Sequence, residues 1–84
     1  MSSLVKLVKK ALEQPQCITY PELERLLRDF GYELAKSTGS HRVFHKDGAC
    51  PITLVTHDEK SIKKVYVQAV ARALDLEVWF ENRE

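Results

Sequence analysis

Helices packed on one face of a small three-stranded antiparallel sheet, an α+β fold, is the architecture this sequence predicts. Three observations carry the prediction. Apolar residues recur at helical spacing on both flanks of the chain, the period changes to two between residues 32 and 56, and an Asp-Gly step interrupts that central stretch. The predicted order is α-α-β-β-β-α followed by a short C-terminal tail. With 84 residues the chain is expected to make a single domain, without room for a second unit or a large enclosed substrate cavity.

Each element has its own signal. Leu4, Val5, Leu7, Val8, Ala11 and Leu12 recur at helical spacing over residues 3–14, with Ser2 or Ser3 as N-cap and Pro15 as the stop. A second helix opens on the capping box of Thr19 and Glu22, carries Pro21 in its first turn, buries Leu23, Leu26, Leu27 and Phe30, and ends at Gly31. From Tyr32 the period is two, so that Tyr32, Leu34 and Lys36 alternate with Glu33, Ala35 and Ser37, and residues 37–40 supply turn chemistry. Residues 41–46 make the second strand, with Val43 and Phe44 on opposite faces. Lys46-Asp47-Gly48 turns the chain, and the β-branched residues Ile52, Thr53 and Val55 mark a third strand over 51–56. Ile62, Val65, Tyr66, Ala69, Val70, Ala73 and Leu74 predict a last helix that starts either near Ser61 or at Val65. Residues 77–81 alternate like a short strand or a docking tail.

Composition excludes several classes. Thirteen Lys and Arg against twelve Asp and Glu lack the excess of an obligate nucleic-acid coat. Two separated cysteines, Cys17 and Cys50, are neither a zinc knuckle nor a disulfide framework and suit a reduced, cytoplasmic setting. Lysines break the N-terminal apolar residues, which leaves no run long enough for a signal peptide or a membrane span. The charge is nevertheless unevenly spread. Residues 36–64 sum to +3 and contain all three histidines, His41, His45 and His57.

Metal binding by these histidines is a poor fit. His41 and His45 on one strand would stand roughly 13 Å apart, too far to share an ion. A strand register does bring other groups together. A turn about Asp47 and Gly48 makes paired positions sum to about 95 to 97, which sets His57 opposite residues 38–40 and beside His41. Ser40, Arg42, Lys36, Lys60, Lys63 and Lys64 are near that end by sequence or pairing, and hydroxyls and cations of this kind suit phosphate. An imidazole titrates near neutrality, so it can take the proton of a ribose 2′-hydroxyl whose oxygen then attacks the adjacent phosphorus. A nearby cation would stabilise the charge that develops on the phosphoryl oxygens.

The run Gly39-Ser40-His41-Arg42-Val43-Phe44-His45-Lys46, preceded by a helix ending in Gly31-Tyr32 and followed by Ile52-Thr53-Leu54 and His57, resembles the HicA/YcfA-like toxins of bacterial toxin-antitoxin modules. The resemblance covers residues 19–76, leaving 1–18 as an N-terminal helical extension and 77–84 as a tail. It implies a double-stranded-RNA-binding-domain-like fold, cleavage of messenger RNA without a metal or other cofactor, and neutralisation by a HicB-like antitoxin. It maps the catalytic histidine onto His41, its motif neighbours onto Gly39 and Ser40, and a second histidine onto His57. Residue 42 is arginine where a second histidine is common in the family. On this reading Lys36, Arg42, Lys46, Lys63 and Lys64 are the RNA-backbone contacts. A competing reading is a non-catalytic module of the same fold that binds nucleic acid or docks a protein. A third is a regulatory subunit that dimerises through residues 4–12 and 78–80.

Overall fold

Capping chemistry and side-chain period set the first half of the chain. The computed structural model describes residues 3–56 and 60–82. Helix α1 runs Ser3–Glu13, a single 3-10 turn follows at Pro15–Cys17, and helix α2 runs Tyr20–Asp29. The capping box ahead of α2 is complete: the Thr19 amide donates to Glu22 Oε1 at 3.0 Å and the Glu22 amide donates to Thr19 Oγ1 at 3.4 Å. The C-terminus closes as a Schellman motif, in which the Gly31 amide donates to the Arg28 carbonyl and the Tyr32 amide to that of Leu27. Gly31 takes φ +93°, a conformation that costs a glycine nothing.

Lys10 of α1 donates to the Glu22 carboxylate at 3.0 Å and so ties α1 to the start of α2. Burial alone would raise the Glu22 pKa, but hydrogen bonds from the Thr19 amide and from Lys10 outweigh it and hold the carboxyl below its ordinary value. A depressed carboxyl contributes stability above its ordinary value of 4.5 and loses that contribution as the pH falls through its lower folded value. Melting temperature should therefore drop more steeply below pH 4.5 in the parent than in Glu22→Gln. Thr19→Ala should cost about 1 kcal/mol at neutral pH, the usual loss for an N-cap hydroxyl. Thermal melts from pH 3 to 7 check both; equal acid slopes in the parent and Glu22→Gln would show that Glu22 carries none of the acid sensitivity.

Strands β1 (Glu33–Thr38), β2 (His41–His45) and β3 (Ile52–Val55) form an antiparallel meander with β2 in the centre. Every β2–β3 pair, from His41↔Val55 to Phe44↔Ile52, falls within the expected register. The turn at residues 46–49 closes through the Ala49 amide and the Lys46 carbonyl, with Gly48 at φ +80°. Between β1 and β2 the ladder is irregular. Leu34 pairs with Phe44, Lys36 pairs with Val43, and Ala35 is the extra residue of a β-bulge. Because side chains alternate along β2, the bulge moves Lys36 off the face of Leu34 and onto the face of Val43 and His41.

The other face, with Phe44 and Leu54, joins one core that also holds Val8, Leu23, Leu26, Leu27, Val67, Val70 and Leu76. Helix α3 begins at Lys64, between the two starts allowed by the sequence, and runs to Ala73. The expected strand or tail over 77–81 is instead a helix, α4, at Leu76–Glu81. Asp75 takes φ +50°, an αL conformation that Asp tolerates, and so ends α3 and redirects the chain into α4. Leu76, Trp79 and Phe80, at i, i+3 and i+4, then face the core, and the Trp79 ring meets Phe30 at 5.5 Å. Five residues are too few for alternation to be told from a helical stripe that began at Leu76.

The apolar residues of α1 are also spent internally: Leu7, Val8 and Ala11 are buried against the rest of the core. Leu4, Val5, Leu12, Trp79 and Phe80 stay half-buried and Val78 is exposed, so residues 4–12 and 78–80 keep part of their apolar surface open.

Candidate functional site

A two-residue turn, Gly39-Ser40, joins β1 to β2 and makes Thr38 and His41 a cross-strand pair. Gly39 adopts φ +58° there, which is why a glycine suits the position. On its other side His41 pairs with Val55, so the imidazole stands between Thr38 and Val55 on the sheet face that carries no buried side chain. His41 is exposed. Lys36, brought to this face by the bulge, lies on the diagonal to His41, about 7–8 Å away by ordinary sheet geometry. Thr38 also belongs to this site and is absent from the residues expected of it, although the count across a two-residue Gly-Ser turn is enough to find it.

Ser40 is half-buried, and its carbonyl accepts the Thr56 amide at 2.9 Å, which extends the β2–β3 ladder past its last formal pair. The Thr56 hydroxyl donates to the Ser61 carbonyl at 2.7 Å. Lys63 and Lys64 follow Ser61 by two and three residues, so they stand at the same end of the sheet as Ser40, both exposed, at the start of α3. Amides at a helix N-terminus and two ammonium groups add their attraction for an anion there. His57, assigned to this end by register, lies outside the described residues.

Two of the cations are placed elsewhere. Lys46 sits beyond the far end of β2, roughly 16 Å along the strand from His41. Its ammonium lies over the Tyr32 ring, 5.6 Å from the centroid, and its methylenes crowd Gly31 so closely that a Cβ there would approach within 3.3 Å. Arg42 pairs with Ser37 and Leu54 and so faces the helices, opposite His41. Its Nη1 donates to the carbonyls of Gly39, at 2.6 Å, and His41, at 3.3 Å. The guanidinium also acts on Tyr20, whose hydroxyl donates to Glu24 Oε2 at 3.2 Å. Burial and the Glu24 carboxylate raise the Tyr20 pKa, and Arg42 partly offsets the rise.

Among the described residues no group of three or more His, Cys, Asp or Glu side chains converges as a metal site would require. Cys17 and Cys50 are both exposed and unpaired. A concavity of about 450 Å³ lies on the helical side, lined by residues such as Ala11, Leu12, Pro15, Arg72 and Val78. The histidine site is a surface rather than a pocket, a shape that suits an extended polymer better than a small molecule. No helix among the described residues is long and apolar enough to cross a membrane.

Comparison with known proteins returns one family. No curated protein matches the chain, and neither does any solved structure. The model of the HicA toxin of bacterial toxin-antitoxin systems matches residues 20–76, a span that takes in α2, the whole sheet, α3 and the His41 turn and leaves α1 outside. That match covers more than half of the chain: the chain belongs to the HicA toxin family.

Proposed function

We propose that this protein is the toxin of a bacterial toxin-antitoxin pair and that it cleaves messenger RNA without a metal, with His41 as the catalytic residue. The observation that carries this reading is the exposed His41 imidazole on an open sheet face, beside the Thr38 hydroxyl and on the diagonal to Lys36. RNA laid across that face presents its ribose-phosphate links to the imidazole. His41 accepts the 2′-hydroxyl proton as the 2′-oxygen bonds to phosphorus, or, as imidazolium, donates a proton to the departing 5′-oxygen. The products are a 2′,3′-cyclic phosphate and a 5′-hydroxyl. Lys36, Lys63 and Lys64 hold the flanking phosphates, and Gly39 and Ser40 allow the backbone to approach closely. The partner is a HicB-like antitoxin, and the setting is cytoplasmic.

The chemistry has a direct test. Purified protein in excess chelator should cut a single-stranded RNA and leave the DNA of the same sequence intact, because DNA lacks the 2′-nucleophile. A 2′-deoxy substitution at a cleaved link should block that link alone. Cleavage of the DNA, or dependence on an added divalent ion, would overturn the mechanism. A shift in electrophoretic mobility with no cleavage on long incubation would select the non-catalytic module instead.

The same placement of charge predicts how binding responds to salt. With Lys46 and Arg42 directed elsewhere, three lysines are left for phosphate, and each contact to a single strand contributes about −0.7 to the logarithmic salt slope. A slope of about −2 follows, or roughly a 16-fold loss of affinity between 50 and 200 mM salt. Fluorescence anisotropy with the His41→Ala protein measures it without turnover. A slope near zero would remove phosphate contacts from the reading, and one beyond about −4 would require cations this face does not present.

A further inference from the structure

We infer that Arg42 is a positioning residue, which braces the Gly39-Ser40 turn through the carbonyls of Gly39 and His41 and thereby sets the His41 imidazole on the open face; the role rests on the reading of His41 given above. A cation beside a candidate nuclease histidine would ordinarily be assigned to phosphate. The register points elsewhere here, because Arg42 shares its face with Leu54 and Phe44, which are buried, whereas His41 points away.

The guanidinium instead braces its own turn. It donates to the carbonyls of Gly39, at 2.6 Å, and His41, at 3.3 Å, which bracket Ser40. The Ser40 carbonyl accepts the Thr56 amide on one side of the turn, and the Arg42 bond to the Gly39 carbonyl holds the other, where a Cβ at Gly39 would meet nothing within 4 Å. A charge-assisted hydrogen bond to its carbonyl is about twice as strong as a neutral one and fixes direction as well as distance. Loss of that bond leaves the strand pairing of His41 intact but frees the turn that aims it. In a reaction that depends on near-attack geometry, a displacement of about 1 Å costs up to about 100-fold.

The test compares Arg42→Ala and Arg42→Gln with the parent. Arg42→Ala should lower kcat about 10- to 100-fold while KM for RNA stays within about twofold and the salt slope of binding is unchanged. Arg42→Gln, whose amide can still donate to the Gly39 carbonyl, should recover part of the loss and guards against the case in which alanine fails to fold. Amide exchange supplies a readout that does not pass through activity: the Gly39, Ser40 and His41 amides should exchange faster in Arg42→Ala, with the centre of the sheet unaffected. A raised KM with kcat intact, or a salt slope shallower by about 0.7, would make Arg42 a phosphate contact and overturn the inference. Unchanged turn exchange would overturn it as well. If the parent protein cut no RNA, the nuclease reading would fall, and the exchange rates would still decide whether Arg42 holds the turn.

Discussion

His41→Ala is expected to reduce RNA cleavage by about 10²- to 10⁴-fold, the usual contribution of a positioned general acid or base. Growth inhibition on expression should disappear with it. The fold should hardly respond, because His41 is exposed on the sheet face that carries no buried side chain. A surface substitution of this kind stays within about 0.5 kcal/mol, which for a domain of this size moves Tm by about 2–4 °C. The joint result is what discriminates, since inactivity with an intact melt assigns chemistry to the imidazole. His41→Gln sharpens the comparison, as it keeps a polar side chain of similar reach but cannot exchange a proton near neutral pH. Cleavage retained by both variants would remove His41 from the mechanism.

Phe44→Ala should have the largest effect on stability. Phe44 lies on the central strand, pairs with Leu34 on one side and Ile52 on the other, and has no exposed surface. Truncating a buried phenylalanine removes its transfer free energy and leaves a cavity, a loss of about 3–5 kcal/mol. Small domains are stable by only about 5–15 kcal/mol, so most of the margin is at risk. Urea titration followed through Trp79 fluorescence would give the loss directly, and Phe44→Leu, which keeps most of the volume, should cost markedly less. A loss under about 1 kcal/mol for the alanine variant would mean that the helices do not close over this face as described.

These two neighbours on one strand, three residues apart, divide the protein's labour by parity. Position 41 faces solvent and position 44 faces the helices, which follows from the two-residue repeat of any strand. That division could be read in advance from Val43 and Phe44. The same counting misled at Lys36, because it assumes an unbroken ladder, and the extra residue at Ala35 reverses the face of everything on one side of it. For Arg42, parity alone was enough to separate it from His41; what attracted the phosphate assignment was charge and proximity in sequence, which take no account of face.

Local chemistry written in neighbouring residues was legible without coordinates. The Thr19–Glu22 box, the Gly31 stop, the Asp47-Gly48 turn and the β2–β3 register each depend on groups within a few positions of one another, and each is found where the residues put it. Two features were settled by partners distant along the chain: the bulge that turns Lys36 outward, and the packing of Trp79 on Phe30 that accompanies a helix over residues 76–81. The physical reason is the same for both. Short-range preferences of a few tenths of a kcal/mol, up to about 1, are overruled wherever burying apolar area or satisfying a buried donor stabilises the chain by more, and that stabilisation exists only once the elements have met.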